Sequence, residues 1–147
     1  MVEPHSGSSR EQVVDTMIEL TRLSPLHRAI VAGSDSQELY LALRRRGLIR
    51  VATTATCRIP KGQHAVGLII GQNSLQAIEA ALAEISQFLS ASAAIAVLID
   101  SRESGFSLRI RAKLEQMGFR IEAGVRCQQG FVLSAYRQGF GQMEIAA

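Results

Sequence analysis

Four short groups of polar residues stand where apolar runs stop, and together they are where this sequence collects side chains able to hold a ligand. Gly33, Ser34, Asp35 and Ser36 follow residues 29–32; Thr53 and Thr54 close residues 48–54; Gly71, Gln72, Asn73 and Ser74 follow residues 65–70; Asp100 and Ser101 follow residues 94–99. Hydroxyls, amides and turn N–H groups suit a polar or anionic small molecule, whereas a nucleophile needs an adjacent base. The same residue types serve as turn and cap residues, so the grouping, rather than any one member, marks a pocket. Asp100 is the lone carboxylate placed to act as a base, and at such a position an acid more often caps the following loop. No Ser-His-Asp arrangement or metal-ligand spacing can be quoted, and Gly71-Gln72-Asn73-Ser74 lacks the lysine and second glycine of a phosphate loop. No metal is expected. His27 and His64 each precede an apolar run, which reads as a surface or edge position at the rim opposite the polar groups.

The elements that must position these residues alternate in period. Residues 9–23, with Ser9 and Gln12 able to cap, place Val13, Val14, Met17, Ile18 and Thr21 on one side of a helix. Residues 29–32 form a short apolar run fit for a strand buried on both faces. Gly33 turns the chain, Asp35 and Glu38 form a capping box for the helix that follows, and Gly47 ends it. Residues 48–54 are rich in strand formers, residues 57–63 contain Pro60 and Gly62 and read as a loop, and residues 65–70 make a third strand. Asn73 is placed to cap a helix whose apolar stripe runs Leu75, Ile78, Leu82, Ile85, Leu89. A fourth strand over 94–99 leads through a loop to a helix marked by Phe106, Ile110, Leu114 and Met117 and stopped by Gly118. Alternation over 119–127 and 131–137 about Gln128-Gln129-Gly130 then gives an antiparallel hairpin. The pattern is an α/β three-layer sandwich, a mostly parallel sheet with helices on both faces and the hairpin at its end. One domain is expected over residues 9–137, between a flexible tail at 1–8 and a second tail at 138–147.

Bulk properties narrow the partners. The chain has 147 residues and is 47% hydrophobic, enough for one core. A net charge of +3 does not by itself call for nucleic acid or an anionic membrane surface. No apolar run approaches a membrane span of ~18 residues. Two cysteines, Cys57 and Cys127, with neither metal spacing nor a secretory leader, point to free thiols and a cytoplasmic setting. One local anomaly stands out: residues 39–78 carry Arg44, Arg45, Arg46, Arg50, Arg58 and Lys61 and no acid. Arginines in a last helical turn complement the helix dipole, and a nucleic-acid or acidic-protein contact is the competing account.

The run Val31-Ala32-Gly33-Ser34-Asp35-Ser36-Gln37-Glu38-Leu39 and the corner Leu114-Glu115-Gln116-Met117-Gly118-Phe119, set in this order of elements, resemble the class I S-adenosylmethionine-dependent methyltransferase fold over residues 26–137. Lettering the strands A to F along the chain, the resemblance implies the order B-A-C-D-F-E with F antiparallel. It implies a small-ligand site, with S-adenosylmethionine as cofactor, formed by Gly33, Ser34, Asp35, Thr53, Thr54, Gln72 and Asn73 at the carboxyl ends of the strands. The chain departs from the pattern in three places. Gly33 is followed by Asp35 and Gln37 where the family has further glycines, and Thr53 and Thr54 stand where it has a ribose-holding acid. Residues 57–63 are also too short for the helix-strand unit the family inserts before strand C, so the fold is truncated there. If the chain is an enzyme, the resemblance implies a methyltransferase. The alternative is a non-enzymatic interaction domain that contacts a protein or nucleic acid. Truncation leaves strand B at the sheet edge, and an exposed edge leads to the expectation of a homodimer.

Overall fold

The computed structural model describes residues 6–71, 74–99 and 104–137. The expectations placed on Gln72, Asn73, Asp100, Ser101, residues 1–5 and residues 138–147 lie outside them. The elements run α1 (Ser6–Thr21), β1 (Ala29–Ala32), α2 (Ser36–Arg45), β2 (Val51–Thr53), β3 (His64–Ile69), α3 (Leu75–Ser86), β4 (Leu89–Ile99), α4 (Ser104–Gln116), β5 (Phe119–Arg126) and β6 (Phe131–Arg137). They build one six-stranded sheet ordered β2-β1-β3-β4-β6-β5, the order expected. The first four strands of that order are mutually parallel, and β6 runs antiparallel to β4 and β5.

Alternation along the strands divides the core in two, because successive side chains leave opposite faces of a sheet. Val31, Leu68 and Ala96 meet Val13, Val14 and Met17 of α1 and Leu39 and Leu43 of α2. Ile30, Ile69, Ile95 and Val97 meet Ile78, Leu82 and Ile85 of α3 and Ile110 and Leu114 of α4. A helical layer therefore covers each face of the sheet, which makes three layers in all. Residues 54–63 form only turns and irregular chain, so the passage from β2 to β3 lacks a helix-strand unit and leaves β2 as the outer strand.

Several boundaries move from their expected places. The first helix begins at Ser6, so residues 6–8 are helical and Ser9 lies inside it rather than capping it. Leu48 does not start β2; its N–H bonds to Leu43 O at 3.1 Å while Gly47 N–H bonds to Arg44 O at 3.0 Å, closing α2 and delaying the strand to Val51. The α3 stripe stops at Ser86, and Leu89 instead opens β4, which is eleven residues long. The reason is pairing: Gln87 O and Phe88 O accept from Gly62 N–H at 3.1 Å and His64 N–H at 2.9 Å, which pulls the chain out of the helix and into the sheet.

Candidate functional site

Strand order reverses between β1 and β3, and the turns that leave their carboxyl ends lie against each other there. Gly33 has φ +112°, and a side-chain carbon on it would overlap the carbonyl oxygen of Ile70. Gly71 has φ +89°, with room for a Cβ denied by Asp35 N at 2.6 Å and Ser34 Oγ at 2.8 Å. Both positions need glycine on two counts, backbone conformation and close approach. Ser34 Oγ donates to Gly71 O at 2.5 Å and joins the two turns.

The predicted site residues that are described do gather at this end of the sheet, but most of their side chains are already engaged. Asp35 stands at the N-cap of α2 without making a side-chain cap bond, so the capping box does not form; its carboxylate takes Arg10 of α1 at 3.3 Å. Glu38 lies 3.6 Å from the same guanidinium. Thr53 is buried, its Oγ1 lying 2.9 Å from Thr56 Oγ1 and accepting from Thr56 N–H at 3.2 Å. Thr54 is half-buried, and its N–H holds the turn to Val31 O at 3.1 Å. The cap of α3 is Ser74, whose Oγ accepts from Ala77 N–H at 3.1 Å, in the role expected of Asn73. Gln72, Asn73 and the weak catalytic candidate Asp100 are outside the described residues.

Two further groups stand apart from the crevice residues, His64 and the arginine cluster singled out by its charge. His64 is 1% exposed, not a surface histidine. Its Nδ1 faces Phe88 O at 3.3 Å and its Nε2 faces the Cys57 thiol at 3.8 Å. Burial holds the imidazole below its ordinary titration range; the Phe88 carbonyl opposes this, and the charge of Arg28 adds to it. A lone histidine before an apolar run carries no sign of this, since the groups that face its ring, Phe88 O and Cys57 Sγ, are brought there by the fold. The arginine cluster also divides. Arg46 pairs with Glu11 and, at 3.0 Å, with Asp15, tying α2 to α1, and Arg44 lies 5.7 Å from the Tyr40 ring centre. Those two serve the fold. Among the described residues no helix is long and apolar enough to cross a membrane, and no three His, Cys, Asp or Glu side chains gather as metal ligands.

No protein-family model and no curated protein sequence matches the chain. Solved structures do match in shape. A ribosomal protein L11 methylase from Lactobacillus delbrueckii is similar at TM-score 0.61 and 14% identity, with 92% of this chain and 81% of that one covered. A release-factor-specific protein-(glutamine-N5) methyltransferase from Alicyclobacillus acidocaldarius is similar at 0.59 and 17%, covering 94% and 99%. The [4+2]-cyclase SpnF is similar at 0.59 and 14%, covering 88% and 82%. The chain thus has the methyltransferase-like Rossmann fold, in a truncated form. Because one of these neighbours is named for a cyclisation, the fold alone does not define the reaction.

Proposed function

We propose that this chain is a ligand-binding domain of methyltransferase-like fold that takes a small molecule at the crevice between β1 and β3. S-adenosylmethionine, or the product it leaves, is the ligand class that similar structures named for that cofactor favour. The observation that carries this reading is the Gly33 turn. Its backbone conformation, close packing and place at the strand-order reversal are those of a ligand-facing first turn. The fit is partial. A ribose diol arriving at the end of β2 would meet Thr54 and turn backbone, because Thr53 is bonded to Thr56 and the Asp35 carboxylate faces Arg10. Hydroxyls do not offer the two-oxygen acceptor that a carboxylate gives a diol, so binding is weaker than a clamped ribose would allow. When bound, S-adenosylmethionine would supply an electrophilic methyl group. The protein's part would be to seat the ligand on the Gly33–Ser34 turn and to hold that turn rigid through the bond from Ser34 to Gly71. Isothermal calorimetry with S-adenosylmethionine and S-adenosylhomocysteine tests the reading. A saturable heat is expected, and no heat at millimolar ligand would transfer the chain to the second class.

That second class is an interaction domain, favoured by the place of β2 as the outermost strand of the sheet. Arg50 O accepts from Ala29 N–H and Thr54 N–H donates to Val31 O, so by alternation the Val51 N–H and C=O point away from β1. Ile49 just before the strand is 64% exposed. A second copy pairing there would form a homodimer and bring Thr53 and Thr54 near the partner. Sedimentation equilibrium at micromolar concentration decides it, a single-chain mass throughout the range ruling the dimer out.

A further inference from the structure

At the rim opposite the crevice, Arg28 and Arg50 stand side by side. Ala29 pairs with Val51 in the β1–β2 register, and Ala29 N–H bonds to Arg50 O at 2.9 Å, so the two arginines occupy the preceding pair of positions. Like charges directly opposite each other weaken a strand pair unless something lies between them. Among the described residues no acid pairs with either guanidinium. Residues 39–78 contain neither Asp nor Glu. The Arg28 guanidinium has no hydrogen-bond or ion-pair partner among the described residues. Among the described residues Arg50 places only Nη1, on Leu26 O at 3.3 Å.

Both arginines line a cavity of about 240 Å³ together with His64. Its other walls are apolar: Ile49, Val51, Ala52 and Ile59. Two guanidiniums and several aliphatic side chains in one lining describe a ligand with an anionic head and a hydrocarbon body. The volume is below the roughly 300–1,000 Å³ of sites for drug-sized molecules, which restricts the ligand to a fragment. A planar carboxylate matches the fork of a guanidinium oxygen for nitrogen.

We propose that this cavity at the outer edge of β2 is a binding site for a small aliphatic carboxylate, its head bridging Arg28 and Arg50 and its chain lying on Ile49, Val51 and Ile59. The site is separate from the crevice at the other end of the strands and does not rest on the reading given for that crevice. It also gives a role to Arg50, which the dipole of α2 does not explain.

His64 supplies an internal reporter. The groups facing its ring are Arg28, the Phe88 carbonyl and the Cys57 thiol. An anion settling on Arg28 would offset the charge that opposes protonation of the imidazole. Sodium octanoate, used below the concentration at which it forms micelles, is the probe, followed through the His64 ring and the Arg28 and Arg50 Nε–H signals by NMR. Saturable shifts are expected, with the His64 titration moved to higher pH in the bound form. Octylammonium and octanol, of the same chain length, should leave these signals in place. The double variant Arg28→Gln/Arg50→Gln should weaken octanoate binding about tenfold or more. Three outcomes would overturn the proposal: no saturable shift with octanoate, equal shifts with octanol, or undiminished binding in the folded double variant. The comparison of octanoate with octylammonium needs no variant, so the proposal stays testable if the double variant does not fold.

Discussion

The α-carbon of Gly33 rests against the carbonyl of Ile70 so closely that a methyl group there would overlap the oxygen. The two residues belong to turns leaving adjacent parallel strands, β1 and β3, and this contact sets how near those turns come. A ligand at this crevice would therefore sit on a surface whose shape is fixed by backbone atoms rather than by movable side chains.

Gly33→Ala tests that relationship. The substitution adds a steric overlap at a φ of +112°, where an L-residue is already strained. Left-handed backbone costs about 1–2 kcal/mol and overpacking about 1–3 kcal/mol, so a loss of about 3 kcal/mol is expected. Urea unfolding should show a lower midpoint with an unchanged slope. An unshifted midpoint would mean that the turns are not in contact.

Arg137 supplies a second test, at the carboxyl end of β6. Its Nη1 donates to Leu89 O at 3.0 Å and Ser90 O at 3.2 Å, and its Nη2 to Ser86 O at 3.3 Å and Ser86 Oγ at 3.0 Å. The guanidinium also lies 4.8 Å from the centre of the Phe119 ring. One side chain thus satisfies carbonyls where α3 passes into β4 and pins that corner to the hairpin. Partial burial lowers its pKa from the ordinary arginine value, and charge-assisted bonds offset that desolvation. Arg137→Ala should destabilise by about 2–3 kcal/mol, the range for losing charged hydrogen bonds with their acceptors left behind. Arg137→Lys should recover less than half of this, because an ammonium cannot fork over four acceptors and stack at once. Equal thermal midpoints for the Lys variant and the native chain would contradict this account.

How much of this was readable in the sequence follows from where the information lies. Alternation identified β5 and β6, since a one-residue slip would have turned Leu133 and Ala135 out of the core. Helical spacing identified α1, α3 and α4, whereas α2 was marked by Gly33, Asp35, Glu38 and Gly47 at its ends. Their boundaries were less legible, because Leu89 suits both the stripe of α3 and the start of β4, and only the pairing of His64 with Phe88 O decides between them. At the crevice the sequence picked out Gly33 and Thr53 by type and place. It gave no sign that Asp35 would turn to Arg10, 25 residues earlier, instead of capping its own helix. Nor did it show Arg28 beside Arg50, a juxtaposition produced by strand register.

The burial of His64 makes stability depend on pH in a defined direction. The native imidazole titrates below its ordinary value, chiefly because burial disfavours the charged form, with Arg28 acting in the same sense against the Phe88 carbonyl. In the unfolded chain it titrates near ~6.5. Above that pH both states hold a neutral ring, and His64 adds no slope. As pH falls below it, the unfolded chain takes up a proton that the native state still refuses, so the unfolded state binds more protons and unfolding stability declines. The decline continues until the native ring also charges. One proton limits the slope to about 1.4 kcal/mol per pH unit. Unfolding free energies measured between pH 7.5 and pH 5, a window set around the ordinary imidazole value of ~6.5, should show this decline in the native chain. In His64→Gln the curve should be flatter over the same window, whatever its absolute height. Parallel curves for the two proteins would show that His64 is not the group being charged.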